Sequence, residues 1–275
     1  MLLTLPETFQ RLQDTQTWLL GSGLALGLFA ETWLPALRFN APSARFRHLL
    51  TNSVLWLLGA LLFSMLLGAH AVHTQFWLEF NGIGLLHLMP LPLWAQVVVG
   101  ILLIDFGDYV FHRLSHQSRW LWLLHAVHHS DEHLDISTSL RAHPLHVLVS
   151  FGWKILMIAA LGVPIWIAML RDALAIPVSQ FHHSNLRLPD RLESWLRLLI
   201  VTPPVHRLHH SPILAETNAN FGSLFPWWDK LLGTFTAPAA PLPVTYGLNR
   251  VRGGGWQTLP ALLALPWRAR RLGQL

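Results

Sequence analysis

Apolar positions run in long unbroken stretches through the first two thirds of the chain and give way to a more alternating pattern after residue 184. Residues 18–37 and 49–67 each approach the ~20 apolar positions that cross a hydrocarbon core as a helix, and a third run covers 93–111. These predict three transmembrane helices. Between the second and third, residues 76–92 are apolar but broken by Gly82, Gly84, Pro90 and Pro92, which suits an interfacial or re-entrant segment. Residues 145–178 form a fourth apolar region, interrupted by Gly162 and Pro164 and later by Arg171 and Asp172. A hairpin that enters and returns fits these breaks and puts Ala142 and Gln180 on one side of the membrane. One longer helix is the alternative, and it would carry the later histidines across.

Beyond residue 184, Arg187, Asp190, Arg191, Glu193 and Arg197 alternate with Leu192, Trp195, Leu196 and Leu199, the pattern of an amphipathic helix at the interface. Residues 237–275 are rich in Pro and Gly and end in Trp267, Arg268, Arg270 and Arg271. They read as cytoplasmic coil with a surface-attached tail. The expected fold is an all-α integral membrane bundle of about three spans plus a helical hairpin, with a cytoplasmic histidine-rich helical cap. Its parts are a transmembrane region (1–92), a chemistry-bearing domain (93–236) and a C-terminal tail (237–275).

Composition sharpens this picture. Hydrophobic residues make up 52% of the 275 and charged ones only 12%, far from a soluble average, so this is a membrane protein. With no cysteine, disulfides, thiolate metal sites, cysteine-held iron–sulfur clusters and cysteine nucleophiles are excluded. The net charge of +5 does not point to nucleic acid, because the arginines are scattered along apolar segments. Membrane topology explains them better. Arg38, Arg45 and Arg47 lie between the first two runs, whereas residues 68–91 have no Lys or Arg, so the linker should be cytoplasmic. The third helix then delivers His112 to the cytoplasmic side. Glu7, Arg11 and Asp14 precede the first run, which should be retained as a span and not cleaved as a signal peptide.

The chemistry concentrates at the end of that third helix. His112 and His116 are four apart, and His125, His128 and His129 are spaced to share a second helical face. The spacing His–x–x–His–His recurs at His206, His209 and His210, behind a Thr202 that can cap a helix and a Pro203 tolerated in its first turn. Burying so many imidazoles is costly unless each has a strong partner, which a metal ion supplies. His143 and His146 lie just before the hairpin, His182 and His183 just after it. Counting one histidine from each pair gives about ten ligands, suited to two metals, and imidazole alone leaves open iron, zinc, copper or nickel. His146 is either a ligand or an outer residue; of His182 and His183, one is a ligand and the other an outer residue. His48, His70, His73, His87 and His133 read as ordinary polar residues. Asp105 and Asp108 precede His112 on roughly its face, and either orient a ligand imidazole or pair with Arg113 or Arg141. Tyr109 shares that face as a hydrogen-bond donor.

Six motifs then occur in order over residues 100–235. They are Asp105-Phe-Gly-Asp-Tyr-Val-Phe-His112-Arg-Leu-Ser-His116, Leu124-His125-Ala-Val-His128-His129, Arg141-Ala-His143-Pro, Phe181-His-His183-Ser-Asn185, Thr202-Pro-Pro-Val-His206-Arg-Leu-His209-His210, and Asn220-Phe-Gly222 with Trp228-Asp229 through Gly233-Thr234. In this the chain resembles the fatty acid hydroxylase and sterol desaturase superfamily. The resemblance implies a non-haem di-iron site, two iron ions, that activates O2 to hydroxylate or desaturate a fatty acyl or sterol-like C–H bond. It places the metal on His112, His116, His125, His128, His129, His143, His183, His206, His209 and His210, with Asp108, Tyr109, Asn185 and Asp229 as supporting catalytic residues. The chain departs from the pattern at His182, commonly Gln, at His146, usually Glu, and at Phe221, usually Tyr.

Such chemistry needs two electrons beyond the two taken from the C–H bond. Without cysteine, a dinucleotide fingerprint or a haem-binding domain, the chain should borrow them from a separate reductase or electron-transfer protein at its basic face. The other expected partners are a lipid substrate, O2 and the membrane. A competing reading is a metal-ion transporter or metal-binding membrane protein without oxygenase activity. A haem protein with paired axial histidines expects fewer ligands than two triads.

Overall fold

The computed structural model describes residues 5–37, 42–238 and 245–271. Among them the architecture is helical, and backbone pairing of the β type is limited to a bridge between Pro35 and Leu186. Helix α1 (Leu5–Trp33) is followed by α2 (Pro42–Phe63), which continues through a π-helical turn at Ser64–Gly68 into α3 (Ala69–Phe80). A 3-10 turn at Leu85–Leu88 leads to α4 (Leu93–Gln117) and α5 (Arg119–His129). Another at Ile136–Leu140 precedes α6 (Pro144–Leu161) and α7 (Ile165–His183). The remainder holds α8 (Asp190–Leu199), α9 (Pro203–His209), the short α10 (Leu214–Thr217) and α11 (Trp227–Leu231), and α12 (Leu259–Arg271).

Three helices are long and apolar enough to cross a membrane: Pro42–Gly68, Leu93–Gln117 and Pro144–Leu161. The set differs from the expected one at its start. The run at 18–37 lies in α1, whose apolar stretch is diluted by Gly21, Ser22, Gly23 and Glu31 and falls short in hydropathy. Instead of standing alone, α1 packs along α7, where Gln180 Nε2 donates to the Leu20 carbonyl (2.8 Å) and Gly23 leaves room for the Gln180 amide. Trp18, Leu26, Phe29 and Trp33 remain exposed on its other side, as expected of a face that meets lipid.

The fourth apolar region folds as the hairpin and not as one long helix. Gly162 ends α6 in the left-handed conformation (φ 66°), and Pro164 precedes α7. Gly84, itself at φ 125°, presses against this turn so closely that a Cβ there would stand 2.2 Å from the Gly162 Cα. Only glycine permits both the conformation and the approach. Leu86, Ile104, Ile158, Val163 and Ile167 form the apolar core around the turn. His146 near the start of α6 and His183 at the end of α7 line one cavity, so the hairpin does return the chain to the side it left.

Within the expected C-terminal coil, residues 259–271 are helical. Helix α12 packs on α5, and its Leu262 and Leu265 are fully buried with Leu55, Leu123, Val127 and Val251. Pro266 within it does not prevent the helix, because a proline disrupts only the turn before it, and the buried leucines anchor the rest. The last basic residues, Arg268, Arg270 and Arg271, fall in the final turn of α12.

Candidate metal centre

Nine of the ten expected ligands converge. His112, His116, His125, His129 and His209 form one group and His128, His183, His206 and His210 a second, each with ligand atoms within 4.8 Å of one another. Helical spacing brings His112 and His116 together on α4 and sets the three histidines of α5 in a fan. Tertiary packing of α9 against α7 adds the rest. The groups abut: the His129 and His210 rings stack with centroids 4.6 Å apart.

Backbone carbonyls determine which nitrogen of each ring faces inward. His112 Nδ1 donates to Phe221 O (2.8 Å), His209 Nδ1 to Ala219 O (2.7 Å), His128 Nδ1 to Arg141 O (3.0 Å) and His183 Nδ1 to Ser179 O (2.7 Å). A neutral imidazole that donates from Nδ1 presents only a lone pair at Nε2. Yet His112 Nε2 lies 3.0 Å from His209 Nε2, and His128 Nε2 lies 3.2 Å from His183 Nε2. Two lone pairs cannot hydrogen-bond each other, and a cation between or beside the nitrogens would relieve each pair. In addition, both nitrogens of His125 and Nε2 of His129 are buried without a hydrogen-bond partner among the described residues, which is expensive, and a metal would satisfy one nitrogen of each ring. Burial, followed by neighbouring imidazoles, drives His125, His129, His206 and His210 well below the ordinary histidine pKa. They are therefore neutral at pH 7 and ready to ligate. An all-imidazole donor set fits two iron ions, and it equally admits the other imidazole-loving metals.

His143 lies elsewhere. It caps α6, accepting from Leu145 N at Nδ1 (3.2 Å), and its Nε2 lies 3.2 Å from the Leu263 carbonyl on α12. Proline at the first helical position makes the preceding residue a cap, and that role moves the imidazole out of both groups. Thr202 occupies the cap position of α9 but makes no capping bond; its hydroxyl donates to Glu193 (2.8 Å). His182 and His146 lie beside the groups: the His182 ring is 4.1 Å from that of His206, and the His146 ring stacks 4.7 Å from that of His125. Both line the cavity.

The supporting residues act at different ranges. Asp229 accepts from Phe221 N (2.8 Å), Gly222 N (2.7 Å) and the Thr234 hydroxyl (2.7 Å), and so steadies the carbonyl that orients His112. Tyr109 reaches the same Thr234 hydroxyl (2.9 Å) and stands away from the cavity. Asn185 bonds the backbone of Leu37 (3.0 Å) and fastens the α1 end to the end of α7. Asp105 and Asp108 both pair with Arg171, not with Arg113 or Arg141. Buried Asp105 also accepts from Trp228 Nε1 (2.8 Å), tying the 221–228 loop to α4.

Several functional groups carry no signal in the sequence. The four carbonyls that set the tautomers have no side-chain signature. His48 is more than an ordinary polar residue: it sits 2.9 Å from Asp131, in a buried network with Asn52 and Ser137 that extends to Arg141. The Arg141 guanidinium grips Val127 O (3.0 Å), which locks the carbonyl holding His128.

The family model for fatty acid hydroxylase matches residues 97–234, and the chain belongs to that family. Among curated proteins it is 33% identical over 181 residues to ornithine lipid hydroxylase OlsE of Rhizobium tropici, covering 66% of this chain and 51% of that protein. It is 31% identical to human alkylglycerol monooxygenase, over 57% of this chain and 33% of the relative. Human cholesterol 25-hydroxylase is 28% identical over 76% of each. The chain thus spans about half the length, or less, of the first two. No solved structure matches it.

Proposed function

We propose that the chain is a membrane-bound di-iron oxidoreductase that uses O2 to hydroxylate or desaturate a lipid C–H bond. The observation that carries this is the facing of imidazole lone pairs across two abutting groups, open to a cavity of about 230 Å³. Iron bound there supplies O2 reduction and C–H oxidation. The protein's own part is to gather nine imidazoles, four of them pre-oriented by carbonyl acceptors, beside a cavity that is also lined by Phe151 of α6, a helix long and apolar enough to cross a membrane. The named activities of the relatives, on an ornithine lipid, an alkylglycerol and a sterol, support a lipid substrate. The arginine-bearing linker supports a cytoplasmic placement of the site, and the missing electrons come from a separate carrier. Against the transporter reading, the groups abut at one end of the helices and line no path across them.

The test is lipid analysis of membranes supplied with 18O2, comparing the wild type with the His128→Ala/His209→Ala double variant. A hydroxylated lipid carrying one 18O, or a desaturated lipid without label, is expected in the wild type alone. Identical profiles at equal expression would remove the proposal.

A further inference from the structure

One feature of the cavity is left unused by the metal ligands. Lys154 on α6 and Asp108 on α4 line it together with the histidines. A charged pair along membrane-crossing helices is expensive and marks function more often than packing. Their partners account for only part of their bonding capacity. Lys154 Nζ contacts Asp172 (2.8 Å) and Asp108 Oδ2 (3.5 Å), and an ammonium has three N–H donors. Asp108 Oδ2 takes Arg171 and Lys154, whereas Oδ1 has no partner among the described residues. One N–H donor and one carboxylate acceptor therefore remain at the cavity wall, with side chains 18% and 21% exposed.

We propose that Lys154 and Asp108 form a subsite for the acyl amide of a lipid, with the carbonyl oxygen on Lys154 and the amide N–H on Asp108 Oδ1. This rests on the lipid-oxidising reading and narrows its substrate to amide-linked acyl chains. An ester offers the carbonyl but no donor, and a hydrocarbon offers neither. At about 230 Å³ the cavity lies below the usual range of sites that enclose a whole ligand. It accepts the polar junction and a few carbons while the rest of the chain stays in the bilayer beyond Phe151, 38% exposed at the mouth.

Binding tests this without turnover. The full chain in nanodiscs would be titrated with tritiated N-methyldodecanamide, displaced by unlabelled amide, methyl dodecanoate or tridecane, and read by scintillation proximity. The amide should displace at least about tenfold better than the ester, and the ester better than tridecane, as charge-assisted hydrogen bonds require. Lys154→Met should weaken the amide about tenfold or more and Lys154→Arg should largely restore it. Asp172→Asn, which removes the ion pair but keeps the ammonium, should bind within about threefold of wild type. Equal displacement by amide and ester overturns the proposal, as does unchanged binding by Lys154→Met. So does an Asp172→Asn loss matching that of Lys154→Met, since Lys154 would then only brace α6 against α7. A chain that binds the amide through Lys154 but yields neither an 18O-labelled nor a desaturated lipid would sink the oxygenase reading and leave the subsite standing.

Discussion

The two ligand groups are built on different principles. In the group of five, four histidines come from α4 and α5, contiguous in sequence, and only His209 arrives from afar. In the group of four, α5 gives one histidine, α7 one, and α9 with its cap residue two. The first is nearly complete wherever two successive helices form. The second exists only if the α6–α7 hairpin returns and α9 docks on it. Local spacing thus provides redundancy on one side, and the other side depends wholly on the tertiary fold.

The sharpest way to break that contrast is to delete one ligand from each group. His183→Ala should lower product at least ~100-fold and leave about half the wild-type metal per chain by elemental analysis, because three imidazoles remain. His116→Ala leaves four and should retain more of both. The reverse order would show that the redundancy in ligand number is not functional.

Acid should act next. The buried histidines outside the spans, among them His125, His206 and His210, have folded pKa values well below the ordinary 6.5. The unfolded chain takes up protons as pH falls through about 6.5 while the folded chain does not, so stability of the metal-free protein should be level above that pH and fall steadily beneath it. Thermal unfolding of chelated protein across about pH 5 to 8 reads this directly. A flat profile would mean that the clusters open to water once empty.

Asp229→Asn probes the group of five alone. It places an amide against the Phe221 and Gly222 N–H donors and should loosen His112, costing roughly 10–100-fold in metal affinity there. Competition with a chelator should show a single weakened metal of the two. The smallest effect belongs to the hairpin turn. Gly162→Ala meets Gly84 at 2.8 Å at φ 66° and should cost about 1–3 kcal/mol, lowering the melting temperature with metal stoichiometry kept. Loss of the second group alone would show that its assembly hangs on that turn.

The same contrast separates what the amino-acid order discloses from what it hides. Helical periodicity is a local property, so the faces at His112/His116, His125–His129 and His206–His210 are legible in the sequence, and the glycine and proline breaks disclose the hairpin. His143 misleads because its proline neighbour signals a helix cap as readily as a metal motif. Arg171 as the partner of Asp105 and Asp108 is not readable, since the pairing joins helices more than sixty residues apart. The α12 segment has the glycines and prolines of coil around it, while its buried leucines follow from contact with α5. Orientation of the imidazoles depends on carbonyls at Arg141, Ser179, Ala219 and Phe221, which any residue type supplies.

Both groups take ligands from α9 or its cap, the last histidines in the chain. During synthesis the N-terminal part emerges first, so α4 and α5 form with five of the nine imidazoles in place and neither group closed. His206 to His210 follow nearly a hundred residues after His112. On the proposed function, metal loading would therefore be a late event in the life of the chain, and a ribosome stalled before residue 206 should yield a membrane-inserted protein that holds no iron pair.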